Sequence, residues 1–290
     1  MDTLTLATAT TEWLTTNGYD EIREIAPLQG GVISQVLRVN FGDGATVVVK
    51  QHHDPPPGLY ACEAEGLRAL RVPGGPTVPE VYAVGEDFLV LEDLGSGNTP
   101  QDGYWENFGH AVATLHRQTA PQFGFHADNY LGKFPMNNSW QDDGYAFYAE
   151  TRILDFLSAP LCLEVLTAED RANLERLAAR LPQLMPPQPA VLLHGDLWHT
   201  NMLVGKAGEP AFVDPATYYG WAEADLTMSR QYGNIPEAFF AAYQEVNPLP
   251  EGWWERLDLF TIKEHMSMIA HFGDKHGNVG KVRELLARFL

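Results

Sequence analysis

The sequence predicts an α+β fold of two lobes around one cleft, with a small β-rich amino-terminal lobe and a larger, mainly helical carboxy-terminal lobe. The chain has 290 residues, 45% hydrophobic and 11% aromatic, which is enough to bury a large core. Roughly the first hundred residues show strand-like alternation, and helical spacing dominates from Tyr104 onward. Glycine, serine and proline in residues 95–100 separate the two regions. We therefore expect residues 1–94 to form the first lobe and residues 95–290 the second.

The elements of the first lobe follow from changes in the hydrophobic period. Helical spacing in the opening segment gives way at Glu21 to alternating apolar residues, and Gly42-Asp43-Gly44 predicts the turn of a hairpin. A helix is expected over residues 60–70, and two further short strands over residues 81–84 and 88–91.

The second lobe is predicted to be helical because apolar residues recur every three or four positions. This spacing predicts helices over residues 105–115, 168–181, 253–272 and 279–289.

Charge and cysteine content exclude several classes of protein. The 19 basic and 38 acidic residues give a net charge of −19, which disfavours nucleic acid and anionic membranes as partners. No run of eighteen apolar residues and no basic, apolar leader occurs in the sequence. Cys62 and Cys162 fit neither a disulfide framework nor a zinc site. We expect a cytoplasmic protein.

The strongest motif is His194-Gly195-Asp196-Leu197-Trp198-His199-Thr200-Asn201, which lies between two apolar runs. In phosphoryl transfer to a hydroxyl, one carboxylate accepts the proton and a neutral oxygen ligand five positions on reaches Mg²⁺. Asp196 and Asn201 have this spacing, so we predict a catalytic aspartate and a metal ligand. His194 is then expected to position the loop by hydrogen bonding.

A second acid follows in Ala211-Phe212-Val213-Asp214-Pro215, at the end of an apolar strand. Asp214 could place a carboxylate on the metal that bridges the ATP phosphates. An ordinary turn aspartate is the alternative. Because Pro215 follows Asp214, the sequence does not predict a mobile activation loop.

The amino-terminal half should supply the phosphate-binding groups. Gly30, Gly31 and Ser34 lie between two strand-like runs, where backbone N–H groups could approach phosphate. Lys50 ends the apolar strand Val47-Val48-Val49, a costly place for an ammonium unless it meets an anion. ATP phosphate and an acidic side chain are the expected partners.

Two glutamates on the next helix compete as the partner of Lys50. Glu63 has the helical spacing of Leu67 and Leu70 and should face the packed side, whereas Glu65 should face solvent. We predict that Glu63 pairs with Lys50; two surface charges that never meet are the alternative.

The acidic run Glu92-Asp93-Leu94 follows the strand over residues 88–91. This is the expected crossing between the lobes, where backbone groups would bind adenine. A plain transition from strand to loop predicts the same residues.

Taken together, these motifs resemble the protein-kinase-like phosphotransferases of small molecules, which include aminoglycoside and choline kinases. Their details are similar to the fructosamine kinase (ketosamine 3-kinase) family. The motifs that carry the resemblance are Gly30-Gly31-x-Ile33-Ser34, Glu63-Ala64-Glu65-Gly66-Leu67, Leu193-His194-Gly195-Asp196-Leu197-Trp198 and Val213-Asp214-Pro215-Ala216-x-Tyr218-Tyr219-Gly220. The segment 123–132, followed by Trp140 and Phe147-Tyr148-Ala149-Glu150, is also similar to that family.

The resemblance implies a protein-kinase-like fold and transfer of the ATP γ-phosphoryl group, with Mg²⁺, to the sugar 3-hydroxyl of a ketosamine. The product would release the amine, so the implied acceptor is a glycated amine and the implied role is deglycation. Trp198 is expected at the acceptor pocket. Asp225 could bind the substrate amine or could hold the backbone of the catalytic loop.

Departures from the family pattern bear on the acceptor. Val32 stands where some members have a cysteine, so no disulfide switch is expected there. Ser267 and Met268 stand where an Asn and a His are expected. A kinase of another cationic small molecule, such as an aminoglycoside or a choline-like compound, is therefore the alternative. A nucleotide-binding protein without catalysis is the rival from another class.

Overall fold

The computed structural model describes residues 5–28, 33–231 and 233–290. Its amino-terminal part contains helix α1 (Thr8–Thr16), strands β1 (Ile22–Pro27), β2 (Gln35–Phe41) and β3 (Thr46–Gln51), helix α2 (Leu59–Ala69), and strands β4 (Val81–Val84) and β5 (Phe88–Glu92). Within the described residues these strands form one antiparallel sheet of five, in the order β1-β2-β3-β5-β4. The predicted hairpin, helix and two later strands are confirmed.

The two faces of this sheet have different uses. Side chains alternate along β2 and β3, so Leu37 and Val49 point to one face and are fully buried. That face packs against Leu14 of α1. Val36 and Lys50 point to the other face, which forms the roof of the cleft. The strand that buries the lobe's core therefore also presents a lysine to the cleft.

The carboxy-terminal part is mainly helical. Its helices are α3 (Tyr104–Leu115), α4 (Gly144–Tyr148), α5 (Pro160–Val165), α6 (Ala168–Leu184), α7 (Ala222–Gln231), α8 (Glu237–Val246), α9 (Trp253–Phe272) and α10 (Asn278–Phe289). A π-helical segment (Ala149–Leu154) and a 3₁₀ turn (Asp155–Ser158) follow α4. All four helices predicted from the spacing are confirmed. Among the described helices, none has both the length and the apolar character needed to span a membrane.

Short strands carry the cleft-facing residues of this part. They are β6 (Thr119–Ala120), β7 (Asn129–Leu131), β8 (Phe134–Met136), β9 (Ala190–Leu193), β10 (Met202–Val204), β11 (Pro210–Phe212) and β12 (Tyr218–Gly220). β12, β9 and β6 form one small sheet, β10 pairs with β11, and β7 pairs with β8. The predicted catalytic loop lies between β9 and β10.

A shared hydrophobic core joins the two parts. Leu67 of α2 and Leu91 of β5 lie in the same buried cluster as Phe108 of α3, Leu192 of β9 and Phe212 of β11. Burying this much apolar surface favours a fixed arrangement of the elements around the cleft. The polar residues of the site are held at the edge of this core.

Candidate active site

The catalytic loop leaves β9 through a turn that requires glycine. Gly195 has a φ of 85°, and a Cβ atom at this position would lie 2.0 Å from the carbonyl oxygen of Ala216. Any larger residue would force the loop away from the segment after Asp214. The glycine thus allows the two motifs to lie side by side.

Asp196 and Asn201 meet within this loop, as their spacing predicts. Asn201 Nδ2 donates to the backbone oxygen of Asp196 at 2.8 Å and to its carboxylate at 3.1 Å. Burial raises the pKa of the Asp196 carboxyl to about 7; Lys263 opposes this shift, while Glu264 and Asp214 add to it. A carboxylate with this pKa can accept a proton near neutral pH.

His194 connects the loop to the second acidic motif. Its Nδ1 accepts from the backbone N–H of Asp196 at 3.2 Å, so Nε2 carries the proton and donates to the carbonyl oxygen of Val213 at 3.0 Å. Burial lowers the pKa of the imidazole, which favours this neutral form. These contacts agree with the loop-positioning role predicted for His194.

The Asp225 carboxylate binds the backbone of the catalytic loop. Its carboxylate accepts from the backbone N–H of His194 at 2.7 Å and of Gly195 at 2.8 Å, and it contacts His116 Nε2 at 3.2 Å. Only 2% of Asp225 is exposed. Of the two roles left open by the sequence, the structure therefore supports the one in which Asp225 holds the backbone of the catalytic loop. Both carboxylate oxygens have partners inside the protein, so the structure gives no support to the other role, binding of the substrate amine.

Lys50, Glu63 and Asp214 form a charge cluster at the centre of the cleft, in which Lys50 and Glu63 are buried. Lys50 Nζ lies 2.8 and 2.7 Å from the two oxygens of Glu63 and 2.6 Å from Asp214 Oδ1. Burial disfavours the charge on Lys50, but Asp214 and Glu63 outweigh burial, so its pKa is raised. Glu65 instead pairs with His126 at the surface. The choice of Glu63 as the partner of Lys50 is confirmed.

Asp214 has an unusual backbone. Its φ of 59° lies in the left-handed region, which an aspartate tolerates better than most side chains. The conformation turns the carboxylate into the cleft, where 42% of the side chain is exposed. Lys50 lowers the pKa of this carboxyl although burial opposes the shift. The residue therefore presents an ionised oxygen ligand to the cleft.

A pocket of about 450 Å³ lies between the sheet and the catalytic loop. Its walls combine apolar side chains with the charge cluster. The lining includes Leu28, Val36, Val48, Lys50, Glu63, Leu91, Glu92, Asp93, Leu94, Asn201, Leu203, Val213 and Asp214. A pocket that combines apolar walls with a lysine and a carboxylate able to bind a metal ion is suited to a nucleoside triphosphate.

The predicted crossing, Glu92-Asp93-Leu94, lines this pocket, but two of its side chains have other partners. Asp93 accepts from Arg38 at 2.7 Å and from the backbone N–H of Gly95 at 2.9 Å. Glu92 lies 3.1 Å from Lys206. Backbone groups therefore remain the means by which this segment could contact adenine.

The predicted phosphate-binding turn is only partly described. Gly30 and Gly31 lie outside the described residues. Ser34 lies beside the cleft, where its hydroxyl and the Tyr60 hydroxyl are 2.9 Å apart.

A second, smaller pocket of about 120 Å³ opens on the other side of the charge cluster. Trp198 and Asp196 line it from the catalytic loop. Lys50, Asn201 and Asp214 line both pockets. The two pockets therefore meet at the charge cluster.

Sequence reasoning missed two parts of this site. β7 and Gly132 form one wall of the smaller pocket, although residues 123–132 were singled out only as a family-like segment. Lys263 and Glu264 form a buried ion pair at 3.0 Å, close enough to influence Asp196. Two adjacent charges in a helix that buries most of its surface were the signal in the sequence for this pair.

Comparison with known proteins identifies the family of this chain. The fructosamine kinase family model matches residues 6–290. The chain is 32% identical to a probable ketoamine kinase of Enterococcus faecium, over 92% of this chain and 95% of the relative. It is 31% identical to the chloroplastic protein-ribulosamine 3-kinase of Arabidopsis thaliana, over 90% of this chain and 82% of the relative.

Solved structures show the same fold. A crystal structure assigned as a fructosamine-3-kinase from Thermobifida fusca superposes with a TM-score of 0.85 at 31% identity, covering 98% of this chain and 100% of that one. Aminoglycoside phosphotransferase APH(4)-Ia superposes with a TM-score of 0.65 at 15% identity, over 97% and 99% of the two chains, a likeness of fold alone. The protein-kinase-like fold is thus confirmed, and the chain belongs to the fructosamine kinase family.

Proposed function

We propose that this ATP-dependent kinase transfers the γ-phosphoryl group of Mg²⁺-bound ATP to the 3-hydroxyl of a ketosamine, in the repair of glycated amines. The observation that carries the proposal is the junction of the two pockets at Lys50, Asn201 and Asp214. ATP in the larger pocket would place its γ-phosphate at this junction. A sugar in the smaller pocket would have a hydroxyl beside Asp196.

Asn201 and Asp214 are the residues that would hold Mg²⁺. Both offer oxygen ligands, which this cation prefers, and the Asp214 carboxylate faces the cleft. Among the described residues, no group of three or more His, Cys, Asp or Glu side chains could hold a metal ion unaided. Nucleotide phosphates would therefore complete the coordination. When bound, Mg²⁺ neutralises charge on the phosphates.

Asp196 would accept the proton in the transfer step. The hydroxyl oxygen bonds to the γ-phosphorus, the bond from that phosphorus to the bridging β-γ oxygen breaks, and ADP departs with the bonding electrons. The hydroxyl proton passes to the Asp196 carboxylate. Lys50, fixed by Glu63, orients the phosphates by charge.

The acceptor assignment is supported by the lining of the smaller pocket and by the relatives. Trp198 and Tyr130 offer aromatic side chains to a cationic amine, and the Asp196 carboxyl is an acidic group in the same lining. The relatives carry the names ketoamine kinase and protein-ribulosamine 3-kinase. A phosphate at the 3-position destabilises the adduct, so the free amine would be released after transfer.

The proposal also includes a cytoplasmic location and a division of the chain into two lobes. Cys62 and Cys162 are free thiols, which suits the reducing cytoplasm. Residues 1–94 would form the lobe that covers ATP, and residues 95–290 the lobe that carries the acceptor pocket.

Identification of the product tests the proposal. The purified protein is incubated with ATP, Mg²⁺ and a fructosyl-amine or ribulosyl-amine, and mass spectrometry and ³¹P NMR follow the phosphorylated ketosamine and the released amine. The expected product is the 3-phosphate, and Asp196→Asn should lower its rate of formation at least about 100-fold while ATP binding persists.

Asp142→Asn is the matched control, since Asp142 is exposed, accepts a hydrogen bond from Gln122 at 2.9 Å and lines neither pocket. Unchanged turnover in Asp196→Asn would remove Asp196 from the mechanism. Phosphate on a position other than the 3-hydroxyl would refute the proposed regiochemistry.

A further inference from the structure

The wall of the smaller pocket is shared between the two lobes. Leu59 and Cys62 come from α2, which also carries Glu63, and Tyr130 and Leu131 come from β7 in the helical part. The pocket therefore has its full shape only when α2 and β7 lie together. The contacts between these two elements therefore determine both the shape of the pocket and the position of Glu63.

Three side-chain contacts join α2, or Pro57 just before it, to the segment that runs from His126 into β7. The Tyr130 hydroxyl donates to the carbonyl oxygen of Pro57, just before α2, at 3.0 Å. The Cys62 thiol donates to the carbonyl oxygen of Asp128 at 3.1 Å. One turn further along α2, Glu65 pairs with His126. We call these three contacts the α2 latch.

The helical part anchors its side of the latch firmly. Asn129 Nδ2 donates to the carbonyl oxygen of Thr217 at 2.8 Å, in a buried contact beside β12. Asn138, which is fully buried, donates from its backbone N–H to Asp128 at 2.8 Å and accepts from the buried guanidinium of Arg152. The segment that reaches α2 is thus bound to the interior, so it can restrain the helix.

The restrained helix lies directly on the metal-binding segment. Gly66 of α2 is so close to that segment that an added Cβ would lie 3.0 Å from Thr217 Oγ1 and 3.2 Å from Pro215 Cγ. Glu63, one turn earlier, pairs with Lys50. A shift of α2 away from β7 would open the smaller pocket and pull Glu63 from Lys50 together.

We propose that Tyr130 is a positioning residue that couples the two pockets by joining the wall of the acceptor pocket to α2. Because of this contact, a bound acceptor increases the affinity for nucleotide, and a bound nucleotide increases the affinity for the acceptor. An acceptor that fills the smaller pocket favours the joined arrangement of α2 and β7. The same arrangement holds the Lys50–Glu63 pair that faces ATP. Linkage requires the effect to be equal in both directions. The inference rests on the proposed function of the smaller pocket.

The first test needs no acceptor. Hydrogen exchange of the α2 backbone is compared by mass spectrometry in the wild type, in Tyr130→Phe, which loses only the hydroxyl, and in Cys62→Ala. Both variants should exchange faster in α2. Tyr145→Phe is the matched control: its hydroxyl also donates to a carbonyl oxygen, that of Met185, at 3.0 Å, but within the helical part.

The second test measures the coupling itself. Calorimetry gives the Kd of Mg²⁺ with a non-hydrolysable ATP analogue, with and without a saturating fructosyl-amine. In the wild type the acceptor should tighten nucleotide binding at least about fivefold. Tyr130→Phe should lower this ratio about fivefold, the worth of one hydrogen bond, and Tyr145→Phe should keep it.

The outcomes separate the two proposals. Wild-type exchange of α2 in Tyr130→Phe would overturn the latch whatever the acceptor is. A wild-type enzyme that phosphorylates the ketosamine with an affinity ratio of one would overturn the coupling and keep the proposed function. A wild-type enzyme that neither binds nor phosphorylates the ketosamine would refute the proposed acceptor, and α2 exchange would still decide the latch.

Discussion

Replacing Lys50 by methionine removes the cation that faces two carboxylates at the centre of the cleft. Lys50 and Glu63 are each 8% exposed as side chains, and Lys50 Nζ lies 2.8 and 2.7 Å from the two oxygens of Glu63. Asp214 is the more exposed partner, at 42%, so solvent weakens its share. Because Lys50→Met leaves Glu63 buried without its cation, we expect a loss of about 4 kcal/mol in the free energy of unfolding.

The companion variant, Glu63→Gln, leaves Lys50 paired with Asp214 and keeps an amide oxygen near the ammonium. Its expected cost is about 2 kcal/mol, the value of a hydrogen bond to a charged group. The double variant Lys50→Met/Glu63→Gln no longer has an unpaired carboxylate at position 63. It should lose about 2 kcal/mol less than the sum of the single losses.

Urea denaturation of the four proteins at pH 8, without ligands, measures this coupling. The loss caused by Lys50→Met should shrink at pH 5, because burial raises the pKa of the Glu63 carboxyl and a protonated Glu63 carries no charge. If the losses of the two single variants add up to the loss of the double variant within about 0.5 kcal/mol, Lys50 and Glu63 are not coupled, since independent sites are additive in this way. A loss under about 1 kcal/mol for Lys50→Met would refute the reasoning as well.

Three further predictions concern the loop and the outer helices. Since the pKa of Asp196 is raised to about 7 and only its ionised form accepts a proton, kcat/KM should fall about tenfold per pH unit below 7 and level off above; a flat profile from pH 5 to 8 would contradict this. Gly195→Ala should lower kcat at least about tenfold, because its Cβ would meet Ala216 at 2.0 Å; wild-type kinetics would contradict the close approach. Arg283 holds the pKa of Asp170 well below its usual range, but Arg283 is half exposed and solvent screens the pair, so Asp170→Asn should cost about 1 kcal/mol at pH 7 by thermal denaturation. The difference should begin to shrink below about pH 4, where the unfolded carboxyl takes up its proton, and should be lost only as the pH falls through the lowered pKa of the folded carboxyl. A difference that stays constant from pH 7 to about pH 2 would contradict the pairing.

The parts of the site that lie in local motifs could be predicted from the sequence. The spacing from Asp196 to Asn201 places the catalytic carboxylate and a metal ligand in one loop, and helical periodicity separates Glu63 from Glu65. Lys50 at the end of an apolar strand required an anionic partner, and the structure supplies two. Each of these inferences depends on local sequence alone, either on a spacing between neighbouring residues or on the free-energy cost of placing a charge in an apolar strand.

Other parts depend on contacts between distant segments, which no local pattern contains. Asp225 could serve the substrate or the loop, and only its position under β9 decides between them. Asp93 lines the larger pocket, and the sequence gives no sign that its carboxylate binds Arg38, which is distant along the chain. The contact of Tyr130 with the residues before α2 joins two segments that the sequence gives no reason to pair.

Acceptor-dependent ATP consumption decides whether this cleft phosphorylates ketosamines. The purified protein is assayed with ATP and Mg²⁺ against a fructosyl-amine, a ribulosyl-amine, choline, an aminoglycoside and no acceptor, and each assay is repeated without Mg²⁺. We predict Mg²⁺-dependent stimulation by the ketosamines alone. Stimulation by choline or the aminoglycoside in their place, or no stimulation by any acceptor, would contradict the claim that this cleft phosphorylates ketosamines.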